Sequence, residues 1–245
     1  MRIAFDLDGV LADFHTAFSE TAISLFPELD PKVIASPDVA ASPPVEAGDS
    51  EIPAETPDPA NVPMSRRQLE AVWKQLRATD DFWQGLKEIE PGAIARLAAV
   101  ADANRWEVLF ITSRPSSSGG TVQRQTQRWL QERGFPLPSV FVVHGSRGAV
   151  AQALELDVVV DDRPDNCLDV VLGSKAGAVL LWRGAQAKVP ASARRLGIAV
   201  SSTVDACLDV LVEAQSSMGQ GSFLDSLRRL FGLKTRAAST LLRRD

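Results

Sequence analysis

The sequence predicts an α/β fold: a doubly wound parallel sheet with a small helical cap inserted after the first strand. Three observations carry that expectation. Apolar runs of strand length alternate with stretches of helical periodicity. The runs are continuous rather than alternating, as in strands covered on both faces. The interval between the first and second runs, residues 13–105, is too long for a single crossover.

In chain order, the strand-like runs fall at 2–5, 107–111, 140–143, 158–160 and 178–182. Phe14, Ala17, Phe18, Ala22 and Leu25 recur at helical spacing, as do Leu69, Val72, Trp73 and Leu76. Both stripes fall in the long interval and supply its cap. A third stripe, Val204, Cys207, Leu208, Leu211 and Val212, predicts a helix after the last run. The expected division is therefore a core of residues 1–12 and 91–214, a cap of 13–90, and a tail of 215–245.

Composition narrows the class. With 245 residues, 45% hydrophobic and 23% charged, the chain can bury a substantial core. No run approaches the ~18 apolar residues of a membrane span. Asp6 falls too early for a secretory signal, which predicts a cytoplasmic protein. Two cysteines cannot make a disulfide framework. A net charge of -5 argues against a nucleic-acid polymer as partner. Residues 36–63 hold seven of the fifteen prolines and six acidic groups without one Lys or Arg, so a flexible, self-repelling loop is expected within the cap.

Ligands of an open parallel sheet bind beyond the carboxyl ends of its strands. The runs exit there into Asp6-Leu7-Asp8-Gly9, Thr112-Ser113-Arg114-Pro115, His144-Gly145-Ser146-Arg147 and Asp161-Asp162-Arg163-Pro164-Asp165. Asp6, Asp8, Asp161 and Asp162 would crowd one rim. Two unit charges 4 Å apart at an effective dielectric of ~20 repel by about 4 kcal/mol. Such crowding calls for a divalent cation, a shared proton, or both. An all-oxygen donor set points to a hard ion, magnesium first. The hydroxyls of Thr112 and Ser113 and the guanidinium of Arg147 could then hold the remaining oxygens of a phosphate.

Phe5-Asp6-Leu7-Asp8-Gly9-Val10-Leu11-Ala12-Asp13 resembles the first motif of the haloacid dehalogenase superfamily of phosphohydrolases, and more narrowly its 5'(3')-deoxyribonucleotidase-like branch. Ile111-Thr112-Ser113-Arg114-Pro115 is similar to the superfamily's second motif, and Val160-Asp161-Asp162-Arg163-Pro164-Asp165 to its fourth. The resemblance implies a magnesium-dependent phosphomonoesterase, 5'-nucleotidase-like, acting on a small phosphorylated metabolite. It makes Asp6 the nucleophile and Asp8 the general acid and base. Magnesium would sit on the Asp6 carboxylate, the Asp8 carbonyl and one acid of the Asp161–Asp162 pair, with Asp162 favoured and Asp161 and Asp165 supporting it. The family's third motif usually supplies a lysine, and none lies between Lys87 and Lys175. Arg147, fourteen residues before Asp161, is the nearest basic candidate.

Phe14, Trp73, Phe82 and Trp83 are either core or a pocket that stacks a nucleobase. Residues 219–245 carry six basic groups against two acidic ones on an amphipathic pattern, which could meet a membrane surface or a protein partner weakly. Two alternatives remain open: a phosphatase for another metabolite, and a catalytically weakened domain serving as a scaffold.

Overall fold

The structure, a computed structural model, describes residues 1–30 and 64–216. The acidic loop expected at 36–63 and the basic tail expected at 219–245 lie outside the described residues. Six parallel strands form one sheet in the order β3-β2-β1-β4-β5-β6. They are β1 (Arg2–Asp6), β2 (Glu107–Thr112), β3 (Ser139–Val142), β4 (Val158–Asp161), β5 (Gly177–Leu181) and β6 (Ala199–Ser201). The first five are the expected ones. At three residues, β6 is too short to leave a periodic signal. Among the described residues no helix is long and apolar enough to cross a membrane.

The helices are α1 (Phe14–Leu25), α2 (Arg66–Ala78), α3 (Ala93–Asn104), α4 (Val122–Glu132), α5 (Arg147–Ala153), α6 (Pro164–Gly173), α7 (Ala191–Arg195) and α8 (Val204–Ser216). The long interval after β1 thus holds α1, α2 and α3. Local chemistry starts several of them. Asp13 caps α1 by accepting from the Thr16 amide at 3.1 Å. Ser65 and Gln68 make a reciprocal capping box at α2. Thr121 caps α4, Ser146 caps α5, and Pro164 opens α6, where a missing N–H costs nothing.

The chain divides into two compact units. The first comprises Met1–Asp6, Arg96–Leu109 and the described residues from Gly145 onward. Here β1 runs parallel to β4 with Ile3 beside Val158, Ala4 beside Val159 and Phe5 beside Val160, and β5 and β6 extend the ladder. Ile3, Phe5, Val158 and Val160 are wholly buried, which accounts for their continuous apolar runs. α5 and α6 pack backbone to backbone. A Cβ added at Gly148 would collide with the Asp169 carbonyl oxygen and stand 3.0 Å from the Gly173 Cα.

The second unit comprises Leu7–Ala95 and Phe110–His144. Its first feature is a tight turn after β1. The Leu7 carbonyl accepts from the amides of Leu11 and Ala12 at 2.8 and 2.7 Å, while Gly9 takes φ +84°. A side chain there would be strained, so the glycine following the second aspartate is a backbone requirement. The turn is tied down further on, because Asp13 donates to the Lys87 carbonyl and Ile89 to that of Leu11. Behind it, Phe14, Phe18, Trp73, Leu76 and Trp83 form an aromatic-rich core.

Candidate active site

In the first unit, Asp6 closes β1 and Asp161 closes the neighbouring parallel strand β4, so the ladder itself sets the two acids side by side. Asp6 is 9% exposed and Asp161 wholly buried. Between them stands Arg147, the first residue of α5, itself only 5% exposed. Its Nη2 donates to Asp6 Oδ1 at 3.2 Å, and its Nε lies 4.0 Å from Asp161 Oδ2. The arginine singled out by the absence of a lysine therefore reaches the nucleophile candidate directly.

Asp161 also accepts from the Arg163 amide at 2.9 Å and from the Asn166 side-chain amide at 2.9 and 3.1 Å. Burial nevertheless holds its carboxyl above the usual carboxylate range, against the lowering pull of those donors and of Arg147. Asp162 is partly buried and Asp165 exposed in the first turn of α6.

The Cys167 thiol donates toward the Asp161 carbonyl at 3.7 Å. Burial, and then the charges of Asp161, Asp162 and Asp6, push that thiol well above its ordinary 9.0. Two things follow. Three carboxylate charges converge on one buried atom, and the sulfur stays protonated, so it offers no thiolate to a soft metal. No group of three or more metal-ligating side chains is already arranged among the described residues. The donors that are present, one or two carboxylates at a strand exit, are what magnesium takes from a protein while keeping most of its water.

In the second unit, Asp8 meets Arg114. The guanidinium forks onto it, with Nε 2.8 Å from Oδ2 and Nη2 2.7 Å from Oδ1. Nη1 donates to Thr126 Oγ1 at 3.0 Å, and the group stacks 4.8 Å over the Trp83 ring. The Arg114 side chain is fully buried. Its own amide donates to the Thr112 hydroxyl at 3.3 Å, which folds the exit of β2 back on itself. Thr112 is 1% exposed, whereas Ser113 points to solvent.

Phe14, Trp73 and Trp83 are buried against one another, with Phe14 stacked on Trp73 at 5.5 Å and tilted on Trp83 at 5.6 Å. Phe82 meets Trp83 edge-on at 4.9 Å and stays partly exposed. Of the four aromatics, three spend their faces on the core.

Sequence reasoning passed over Arg114, although it sits inside a motif that was singled out. It also passed over Asn166 and Asp169, which look like ordinary helix residues. The signal for Arg114 was its place at a strand exit, two residues past Thr112.

No protein-family model matches the chain, and no curated protein matches it. Among solved structures it is similar to a candidate beta-phosphoglucomutase from Thermotoga maritima, at 18% identity and a TM-score of 0.49, over 86% of this chain and 98% of the other. It is also similar to a hydrolase from Pseudomonas syringae, at 16% identity and a TM-score of 0.48, over 89% of this chain and 99% of that one. At such identities shared function does not follow from shared shape.

Proposed function

We propose that the chain is a magnesium-dependent phosphomonoesterase of the haloacid dehalogenase type that works through an aspartyl-phosphate intermediate. The observation that carries the reading is the pairing of Asp6, at the exit of a buried strand, with the buried Arg147 and the acid at the exit of the next strand. A nucleophilic carboxylate and a cation able to receive an anionic ester are thereby fixed on rigid elements.

In this reading Asp6 attacks phosphorus and the P–O bond to the leaving group breaks. Asp8 starts the cycle with its proton on Oδ2, while Oδ1 keeps accepting from Arg114 Nε and Nη2, and gives that proton to the departing alkoxide. It then takes a proton from water, whose oxygen attacks the phosphorus and releases inorganic phosphate and free Asp6. Thr112 accepts the Arg114 amide with its oxygen and so keeps its own proton to donate to a phosphoryl oxygen. Magnesium would be held by the Asp6 carboxylate, the Asp8 carbonyl and an acid of the Asp161–Asp162 pair, and would supply positive charge against that of the ester.

A nucleoside monophosphate is the favoured substrate. That choice rests on the resemblance to the nucleotidase branch, with Phe82 as the cap aromatic whose face is still partly open. The test is hydrolysis of a panel of phosphate esters with and without magnesium, by the wild type and by Asp6→Asn. Activity should need the ion and should fall at least about 10³-fold in the variant, the scale on which losing a nucleophile is felt. Undiminished turnover by Asp6→Asn overturns the assignment. A wild type that prefers sugar phosphates to nucleotides corrects the substrate alone.

A further inference from the structure

α5 is only seven residues long, yet it carries an arginine that reaches Asp6. What fixes its first turn is a carboxylate from the helix that follows β4. Asp169, on α6, accepts from Ser146 Oγ at 2.8 and 3.1 Å and from the Gly148 amide at 2.9 Å. It accepts from the Arg147 amide as well. The Ser146 hydroxyl serves in both directions, because its oxygen also receives the Ala149 amide at 3.0 Å. Asp169 thus gathers donors from the residue before Arg147, from Arg147 and from the residue after it.

We infer that Asp169 is a positioning residue, whose carboxylate sets the place from which the Arg147 guanidinium meets Asp6. Three donors at consecutive positions leave the Arg147 Cα little freedom to translate or rotate. Contact between the two helices removes what is left on one side, since Gly148 and Gly173 already touch, and a Cβ at Gly173 would stand 3.2 Å from the Gly148 Cα. Seven residues make only about two turns, so little helix lies beyond the capped one to absorb a shift at the start. Displacing the cap therefore displaces the side chain that the first residue carries, and small misplacements at a reacting centre are felt strongly in rate.

A carboxylate that merely stabilised the fold would be lost with equal effect whether Arg147 were present or not. The experiment compares Asp169→Ala and Asp169→Asn, each alone and each with Arg147→Ala. Its catalytic arm rests on the phosphatase reading and follows kcat and KM for p-nitrophenyl phosphate. Asp169→Ala should lower kcat/KM about tenfold on the wild-type background and less than about twofold once Arg147 is gone. Asp169→Asn, which retains one acceptor oxygen, should fall between.

A second arm needs no turnover. The Arg147 Nε–H resonance, assigned by its disappearance in Arg147→Ala, should move in both Asp169 variants. The asparagine variant keeps this arm usable where the alanine variant fails to fold. Equal losses on both backgrounds, or an Arg147 resonance unmoved by either substitution, overturn the inference. A wild type that hydrolyses no ester defeats the phosphatase reading alone, and the resonance then decides the role of Asp169 by itself.

Discussion

Among the described residues each unit buries one arginine beside aspartate, and the two arrangements are built differently. In the second unit Arg114 commits Nε and Nη2 to the two oxygens of Asp8, Nη1 to Thr126 and its flat face to Trp83. In the first unit Arg147 meets one oxygen of Asp6 at 3.2 Å and stands 4.0 Å from Asp161, so one cation is shared between two acids. The fork is the geometry of a clamp, which fixes a carboxylate in one orientation. On the proposed reading the shared cation is a receiver, since its contacts with Asp6 and Asp161, at 3.2 and 4.0 Å, are longer than those of the fork and divided between two acids. Charge type alone does not separate the two arrangements; the geometry and length of the contacts to the acids do.

That contrast can be broken by removing each cation in turn. Arg114→Ala should cost about 3–5 kcal/mol of stability in urea denaturation, since it leaves Asp8 without its partner and opens a hole beside Trp83. Arg147→Ala should cost less, about 1–3 kcal/mol, because its contacts with Asp6 and Asp161 are longer, at 3.2 and 4.0 Å. Its main effect should be on catalysis, a fall in kcat/KM of about 10²–10³-fold, partly restored by Arg147→Lys. An Arg147→Ala variant that unfolds more readily than Arg114→Ala and still turns over reverses the assignment of clamp and receiver.

A smaller effect sharpens the same contrast through pH. Burial holds Asp161 above its usual value, so whatever stability its titration contributes is present in acid and lost as pH rises through the shifted value. Asp169 runs the other way. Burial raises it, but the Gly148 amide, the Ser146 hydroxyl, the Arg147 amide and the Arg147 charge together leave it below 3.8. Its contribution is present above that value and lost as pH falls through the lowered one. The stability gap between wild type and Asp169→Asn should therefore narrow as denaturation curves are taken from pH 5 to below about 4. A gap that widens toward acid removes the ionised cap.

Much of this was legible in the residues. β1, β4 and β5 are buried on both faces, so their apolar runs are unbroken and nearly mark their own ends. Gly9 was legible as part of the first motif, and the structure supplies the reason for it, a φ of +84° that only a glycine takes without strain. Arg147 was found by asking what cation could stand where a lysine was missing. β6 was invisible because three residues carry no period. Arg114 was missed for a different reason. A buried arginine is rare enough that its burial is not the default reading, and its partners Asp8 and Trp83 lie far from it along the chain. Asp169 was missed because a carboxylate capping another helix leaves no mark on its own periodicity. The aromatic set shows the limit from the other side, since helical spacing could not say whether Phe14 and Trp73 face a ligand or each other.

One consequence follows from the sulfur atoms. The chain has two cysteines, and both are buried. Burial, and then the charges of Asp161, Asp162 and Asp6, keep Cys167 in its unreactive thiol form. An alkylating reagent added to the folded molecule is therefore met by silence, and each adduct that does form at position 167 records a moment when α6 has come away from the strand it follows. Timed labelling of that position reads how often the acidic end of β4 opens.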